Sequence, residues 1–138
     1  MNKTKAIEIL TKNQYKVTTR RETILDFFLK EDRYHTAKNL YDYMEERYPA
    51  ISFDTVYRNL HLYHDLGILE STNLNAEKHF RISCHSDHHH HFICNTCGKT
   101  TPIHVCPMNE AQETLTSYKI EGHKFEIYGL CPECQIAS

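Results

Sequence analysis

The residues best suited to chemistry in this sequence are cysteines and histidines in its second half. The stretch from Cys84 to Cys97 reads CHSDHHHHFICNTC, with one isolated thiol, four consecutive histidines and a Cys-x-x-Cys pair. A second Cys-x-x-Cys pair follows at Cys131 and Cys134. Thiolates and imidazoles are ligands that zinc prefers in proteins, so these residues predict metal binding.

The two Cys-x-x-Cys pairs predict a structural zinc site. Each pair holds two sulfurs at a fixed spacing, and together the pairs fill a tetrahedral shell. The predicted ligands are Cys94, Cys97, Cys131 and Cys134. Gly98, directly after the first pair, permits the tight turn that directs its sulfurs inward. Four protein ligands leave no open position, so a structural role is expected, and redox use of either pair is the alternative.

The histidine run predicts contributions to two different metal sites. It leads into the apolar segment Phe92-Ile93-Cys94, which favours a β-strand. Successive side chains of a strand point to opposite faces. His89 and His91 would therefore share one face, and His88 and His90 the other. A solvated histidine tract is the alternative interpretation.

Each histidine face needs further ligands from elsewhere in the chain. Cys84 can turn onto the face of His89 and His91, and Glu70 is a candidate fourth ligand from the N-terminal half. A thiolate beside two imidazoles and a carboxylate favours zinc, because sensors of iron or manganese would depend on nitrogen and oxygen ligands.

The face of His88 and His90 has two candidate partners. Glu110 lies in a helix predicted over residues 108–117, and His123 begins a strand predicted over residues 123–128. Cys106 has no evident partner in the sequence. We therefore expect it to be a buried or capping thiol without a ligand role.

The N-terminal half predicts three main helices after a short first one. A capping box from Thr19 to Glu22 begins the first of them. Thr36 can cap the second, whose apolar residues recur at helical spacing. Ser52 or Asp54 can cap the third, and Gly67 would end it.

Two strands, residues 68–72 and 78–82, are predicted next around a turn at Asn75-Ala76. Three helices followed by a hairpin are typical of a winged helix-turn-helix, in which the third helix enters the DNA major groove. Tyr57 and Arg58 would lie on its outer surface. The alternative is a small helical domain in which these side chains have no role.

Composition limits the remaining possibilities. A chain of 138 residues is one or two small domains. Residues 1–25 carry six basic and two acidic side chains, which suits contact with phosphates. No apolar run approaches the roughly 18 residues of a membrane span, and the N-terminus resembles no signal peptide. A cytoplasmic protein without membrane contact is therefore expected, in which six cysteines indicate metal binding better than disulfides.

Four sequence features together resemble the ferric uptake regulator (Fur) family, and most closely its zinc uptake regulator (Zur) branch. They are KVTTRRETIL, FDTVYRNL, HHHHFIC and the paired Cys-x-x-Cys motifs, which span nearly the whole chain. The resemblance implies an α+β protein with a winged helix-turn-helix domain over residues 1–83 and a small α/β dimerisation domain over residues 84–138. The hinge would lie at about residues 83–88. It also implies a homodimer that, when loaded with zinc, binds an inverted-repeat operator in double-stranded DNA and represses zinc-uptake genes.

The resemblance assigns site residues by position. The structural zinc ligands are again the four cysteines of the paired motifs. The regulatory zinc ligands are Glu70, Cys84, His89 and His91, and a possible secondary site contains His88, His90, Glu110 and His123. The predicted DNA-contact residues are Lys16, Arg20, Thr55, Tyr57 and Arg58, of which Lys16 would reach the minor groove.

One difference between this sequence and the family pattern concerns which metal the protein senses. Many iron-sensing members have a histidine ligand just before the second helix of the helix-turn-helix, where this chain has Tyr34, with His35 one residue later. A sensor of iron, manganese or peroxide is the alternative within the family. An enzyme is not expected, because the H-E-x-x-H motif of zinc hydrolases is missing from the sequence. A zinc-storage protein would leave the winged-helix pattern unexplained.

Overall fold

The architecture is taken from a computed structural model of the protein. The structure describes residues 1–84 and 90–137. The chain divides into two compact units, Met1–Ser86 and Asp87–Ser138. His88 and His89, which were assigned to two different metal sites, lie outside the described residues. Among the helices of the described part, none is both long and apolar enough to cross a membrane.

The N-terminal unit combines four helices with a small antiparallel sheet. Its elements are α1 Lys3–Lys12, α2 Thr19–Lys30, β1 His35–Thr36, α3 Ala37–Arg47, α4 Phe53–Asp65, β2 Leu69–Leu74 and β3 Glu77–Ile82. The strand order is β1-β3-β2. Helices α2, α3 and α4 followed by the β2–β3 hairpin form the winged helix-turn-helix expected from the sequence.

Side-chain caps begin the helices of this unit. Thr36 caps α3 through a capping box with Asn39, and Ser52 caps α4. The prediction that Thr19 caps α2 was wrong by one residue. Thr18 has the extended backbone that a capping residue needs, and its hydroxyl accepts from the Arg21 amide at 3.2 Å.

Backbone conformation explains the turns on either side of the first wing strand. Asn75 and Ala76 both have positive φ, 53° and 64°, which matches a tight two-residue hairpin turn. Gly67 has a φ of 77° just after α4, as expected for a glycine that ends a helix. The resulting register places Glu70 of β2 directly opposite Arg81 of β3.

One hydrophobic core holds the N-terminal unit together. The largest fully buried side chains come from all its main helices and both wing strands: Leu10, Ile24, Leu25, Phe28, Leu40, Met44, Leu60, Tyr63, Ile68, Leu69 and Phe80. The hydroxyl of buried Tyr63 donates to the carbonyl oxygen of Arg21 at 2.8 Å, so this polar group keeps a hydrogen bond inside the core.

A buried arginine joins the wing to the loop after α2. Arg81 is only 3% exposed, and its guanidinium forms ion pairs with Asp32 and Glu70. Burial of Arg81 would lower its pKa, but the hydrogen bond with Asp32 and the charge of Glu70 outweigh this and raise it. The cation therefore depends on these two carboxylates for its stability in the fold.

Removing both carboxylates should destabilise the N-terminal unit. With Asp32→Asn and Glu70→Gln combined, Arg81 stays buried without a counter-charge, at a cost of about 3–5 kcal/mol. Urea unfolding with only the four-cysteine site loaded would measure this. Asp42→Asn is the control, because Asp42 forms an exposed pair with Lys38 and its loss should change stability by less than about 0.5 kcal/mol.

The C-terminal unit is a small mixed sheet with two short helices. Its described elements are β4 His90–Cys94, β5 Thr100–Ile103, α5 Met108–Thr114, β6 Glu126–Gly129 and α6 Pro132–Ala137. Strand β4 is central, antiparallel to β5 and parallel to β6. In its described part, the buried hydrophobic residues are Ile93, Cys94 and Cys131. So small a core needs additional stabilisation, such as a metal.

Candidate metal centre

Four cysteines from two segments of the C-terminal unit lie close together. The sulfurs of Cys94, Cys97, Cys131 and Cys134 all lie within 4.8 Å of one another. The Sγ atoms of Cys97 and Cys131 are 3.8 Å apart. Two thiolates of a tetrahedral zinc site, with Zn–S bonds of about 2.3 Å, lie about 3.8 Å apart. The donor set and this spacing fit a closed, structural zinc site.

The local fold explains why these sulfurs converge. Cys94 ends β4, and the chain reverses at Gly98, whose φ is 75° and whose amide donates to the Cys94 carbonyl at 3.0 Å. Cys131 follows β6, the parallel neighbour of β4, and its amide donates to the Cys94 sulfur at 3.5 Å. Cys134 lies one helical turn further on, in α6. The turn predicted at Gly98 is therefore present.

Hydrogen bonding distributes charge unevenly among the four thiols. Burial opposes ionisation of Cys94, but backbone amides of Cys97 and Cys131 outweigh it and lower the pKa of this thiol to about 6. A hydrogen bond with the Cys131 side chain, aided by burial, raises the pKa of Cys134 to about 12. Four adjacent thiolates repel one another, so a bound divalent cation is needed to ionise all of them.

A second group of potential ligands lies in the same unit. The ligand atoms of His90, Cys106 and His123 are within 4.8 Å of one another. His90 and His123 were predicted to share a site, and the structure brings them together. Cys106 had no evident partner in the sequence, and its sulfur lies 3.3 Å from the His90 Nε2 and 3.6 Å from the His123 Nε2. Glu110, on α5, is not part of this group.

The residues assigned to the regulatory site belong to both units. Glu70 lies on β2, where Arg81 contacts its Oε1, and Cys84 is half-buried two residues after β3. His91 is half-buried on β4, next to His90, whose side chain is buried. The structure does not place Glu70, Cys84 and His91 in either of its two described ligand groups.

Helix α4 presents an aromatic row and a charged pair on its surface. Phe53 and Tyr57 stack with ring centroids 5.9 Å apart, and His61 meets Tyr57 edge-on at 4.5 Å. The Nε atom of Arg58 lies 3.1 Å from an Asp54 carboxylate oxygen, and both side chains are more than 70% exposed. Tyr57 and Arg58 therefore lie on the outer surface of this helix, where the sequence pattern placed them.

Of the other predicted DNA-contact residues, Thr55 lies at the start of this helix, Arg20 in α2 and Lys16 in the loop before α2. The Thr55 hydroxyl is 2.9 Å from that of Ser52, and the Arg20 guanidinium lies over the Tyr48 ring. Arg21, which the sequence did not single out, donates to the Lys16 carbonyl at 2.7 Å and to Asn59 of α4 at 3.0 Å. Arg21 thereby ties the Lys16 loop to α4.

The sequence model of the ferric uptake regulator family matches residues 12–128. The chain belongs to this family. The ferric uptake regulation protein of Staphylococcus epidermidis is 52% identical over 135 residues, which are 98% of this chain and 97% of that relative. The resemblance drawn from the sequence motifs is thus confirmed at the level of the family.

Solved structures of Fur proteins share the fold. The ferric uptake regulator of Helicobacter pylori has a TM-score of 0.74 at 19% identity, covering 98% of this chain and 95% of its own. A zinc uptake regulator complexed with zinc and DNA has a TM-score of 0.69 at 20% identity, covering 98% and 93%. These structures confirm the α+β fold expected from the sequence. Membership of the family makes this chain a Fur-family transcriptional regulator that binds metal.

Proposed function

We propose that this Fur-family protein is a zinc-responsive repressor. Its zinc-loaded homodimer would bind an inverted-repeat operator and repress zinc-uptake genes. The observation that supports this proposal most directly is the presence of a thiol, Cys84, between the wing and the histidine run. A thiolate among the regulatory ligands favours zinc over iron or manganese, which prefer nitrogen and oxygen ligands in such sites.

The wing supports Glu70 as a companion ligand of Cys84. Arg81 contacts one oxygen of the Glu70 carboxylate, so the second oxygen can serve a metal while the ion pair is kept. Such a charged hydrogen bond would hold the carboxylate in place and orient it. The remaining proposed ligands are His89 and His91, from the C-terminal unit.

Ligands drawn from both units explain how zinc would control DNA binding. Glu70 and Cys84 belong to the unit Met1–Ser86, and His89 and His91 to Asp87–Ser138. These residues can hold one ion together only in relative orientations that bring all of them close, so binding selects such orientations. To convert nearly all of the protein from the inactive to the DNA-competent state, the ion must bind the DNA-competent state about 10⁴-fold more tightly than the inactive state.

The proposed homodimer has support from the edge of the second sheet. β6 is an edge strand, and Ile127, Tyr128 and nearby Leu130 are exposed large hydrophobic residues. Exposed apolar edge strands favour pairing with another chain. A two-fold dimer would present two α4 helices to successive turns of DNA, which matches an inverted repeat.

An iron-responsive regulator is the second candidate function. It is favoured by the curated relatives at 50–52% identity, which carry the name ferric uptake regulation protein. Tyr34 counts against it, because many iron-sensing members have a histidine ligand at that position. Tyr34 is buried in this chain, where Arg81 lies over its ring.

Arg58→Ala should weaken operator binding without changing metal content. Arg58 is exposed on the proposed recognition helix, and loss of a contact with a guanine edge would cost about 1–3 kcal/mol. Lys119→Ala is the control of equal charge change, since Lys119 forms an exposed pair with Glu121 in the C-terminal unit. Equal affinities of the two variants for the operator, measured by fluorescence anisotropy, would show that Arg58 does not contact DNA.

Selection from a random pool of duplex DNA would test the proposed function. The zinc-loaded protein should enrich an inverted repeat, and a chelator that spares the four-cysteine zinc should release it. Enrichment of the same sequences with and without added zinc would contradict metal control. No enrichment under any metal would contradict operator binding.

A further inference from the structure

One side chain in the first turn of α2 contacts both the loop before that helix and the surface of α4. The Arg21 Nε donates to the Oδ1 of Asn59, on α4, at 3.0 Å. Its Nη1 donates to the carbonyl oxygen of Lys16 at 2.7 Å. The planar guanidinium has donors that point in several fixed directions, so one arginine can make both bonds. Arg21 therefore joins the loop of residues 13–18 to the proposed recognition helix.

Both ends of this link are held in place by the N-terminal unit. The hydroxyl of buried Tyr63 donates to the Arg21 carbonyl at 2.8 Å, and the Arg21 amide donates to the capping hydroxyl of Thr18 at 3.2 Å. The Asn59 Nδ2 donates to the Thr55 carbonyl at 3.0 Å, which orients the Asn59 oxygen that accepts from Arg21. The Arg21 and Asn59 side chains are both half-buried. The link is therefore part of the packed structure of this unit.

The loop of residues 13–18 has a defined conformation of its own. Gln14 has a positive φ of 66°, and the amides of Gln14 and Tyr15 donate back to carbonyls of the last turn of α1 at 3.0 and 2.9 Å. These two bonds form the Schellman arrangement that ends many helices. The Arg21 guanidinium also lies over the Tyr15 ring, 5.7 Å from its centroid. The exposed Lys16 side chain therefore extends from a backbone that is fixed on both sides.

We propose that Arg21 is a positioning residue for DNA recognition, which holds Lys16 at a fixed place relative to α4. This inference rests on the proposed operator binding, in which Lys16 and the outer surface of α4 both contact DNA. A loop that is ordered before binding loses less conformational entropy when it binds. Contacts from two elements also need a fixed spacing to engage one duplex in a single register. Arg21 therefore raises operator affinity through Lys16, without contacting DNA itself.

Arg21→Lys tests this role without changing the charge. A lysine has a single ammonium group, so it cannot keep both hydrogen bonds in their present geometry. The affinity of the full-length, metal-loaded protein for its operator should fall at least about tenfold, close to the loss expected for Lys16→Ala. Arg47→Lys is the matched control, because Arg47 donates to the Tyr43 carbonyl within its own helix, α3. Its affinity should stay within about twofold of the intact protein.

A double-mutant cycle distinguishes positioning from direct contact. Because Arg21 acts through Lys16, Arg21→Lys added to Lys16→Ala should weaken operator binding by less than about a further twofold. Asn59→Leu removes the acceptor on α4 without any change of charge. It should reproduce the loss seen in Arg21→Lys and should likewise add little to Lys16→Ala. Urea unfolding of each variant would show that the protein is folded under the conditions of the binding measurement.

Three results would overturn the proposal. Full operator affinity in both Arg21→Lys and Asn59→Leu would show that the link is not needed. Additive losses in the double variant would show that Arg21 acts independently of Lys16, through a phosphate contact or through the stability of the fold. Full affinity in Lys16→Ala would remove the contact that Arg21 positions. In each case the intact protein still binds its operator, so failure of this inference is distinguishable from failure of the proposed function.

Discussion

Replacing Cys84 with serine is expected to abolish zinc-dependent operator binding while the four-cysteine zinc stays bound. Cys84 supplies the thiolate that makes the regulatory ligand set selective for zinc. Without it, the preference for the DNA-competent state, about 10⁴-fold in the intact protein, should largely disappear. Operator affinity with and without zinc, measured beside the number of zinc ions per chain, would show the effect.

Cys106→Ser is the matched control for this variant. It makes the same change of sulfur to oxygen at another half-buried thiol outside the four-cysteine site. It should leave most of the zinc response intact, since Cys106 is not one of the proposed regulatory ligands and groups with His90 and His123 of its own unit. An unchanged zinc response in Cys84→Ser would show that Cys84 is not a regulatory ligand. The main argument for zinc as the regulatory metal would then be lost.

Replacing Cys131 with serine is expected to unfold the C-terminal unit. Cys131 is one of four converging thiols, and its amide also donates to the Cys94 sulfur. Structural zinc contributes on the order of 10–16 kcal/mol in small zinc modules. The described part of this unit buries few other apolar residues, namely Ile93 and Cys94. Loss of one ligand should therefore cause the zinc ion to dissociate and the C-terminal unit to unfold.

Zinc content and hydrogen exchange would measure this loss. We expect the amides of β4 and β6 to lose protection in Cys131→Ser, while those of α2 and α4 in the other unit keep it. A serine in place of Cys106 should leave the β4–β6 amides of the zinc-loaded protein protected. Retention of the four-cysteine zinc and of normal β4 protection in Cys131→Ser would show that the C-terminal unit is stable without a complete thiolate shell.

Local rules allowed most of the N-terminal unit to be predicted. The caps at Thr36 and Ser52 and the turn at Asn75-Ala76 depend on neighbouring residues, and the structure has them where expected. The cap at Thr18 was missed in favour of Thr19, because two adjacent threonines offer the same hydroxyl. The pairing of Arg81 with Asp32 was not predictable, because it joins residues 49 positions apart.

The C-terminal unit was less predictable because the pairing of β4 with β6 joins residues 35 positions apart. β5 contains Pro102, which disfavours a strand in sequence-based reasoning, and it forms here at the edge of the sheet. The four cysteines could be recognised because each pair has a characteristic spacing. Cys106 had no such signal, since His90 and His123 lie 16 and 17 residues away. They meet because β5 and β6 flank β4, and Cys106 and His123 lie in the segments just after β5 and just before β6.

The most direct test of the central claim is a titration of the selected operator against buffered zinc, iron(II) and manganese(II). The protein would carry zinc in its four-cysteine site throughout, and bound metal would be counted at each step. We predict that operator binding rises with zinc, at the lowest free concentration of the three metals, and that Cys84→Ser removes this response. Operator binding driven by iron(II), with no response to zinc, would contradict the assignment and favour the iron-responsive function.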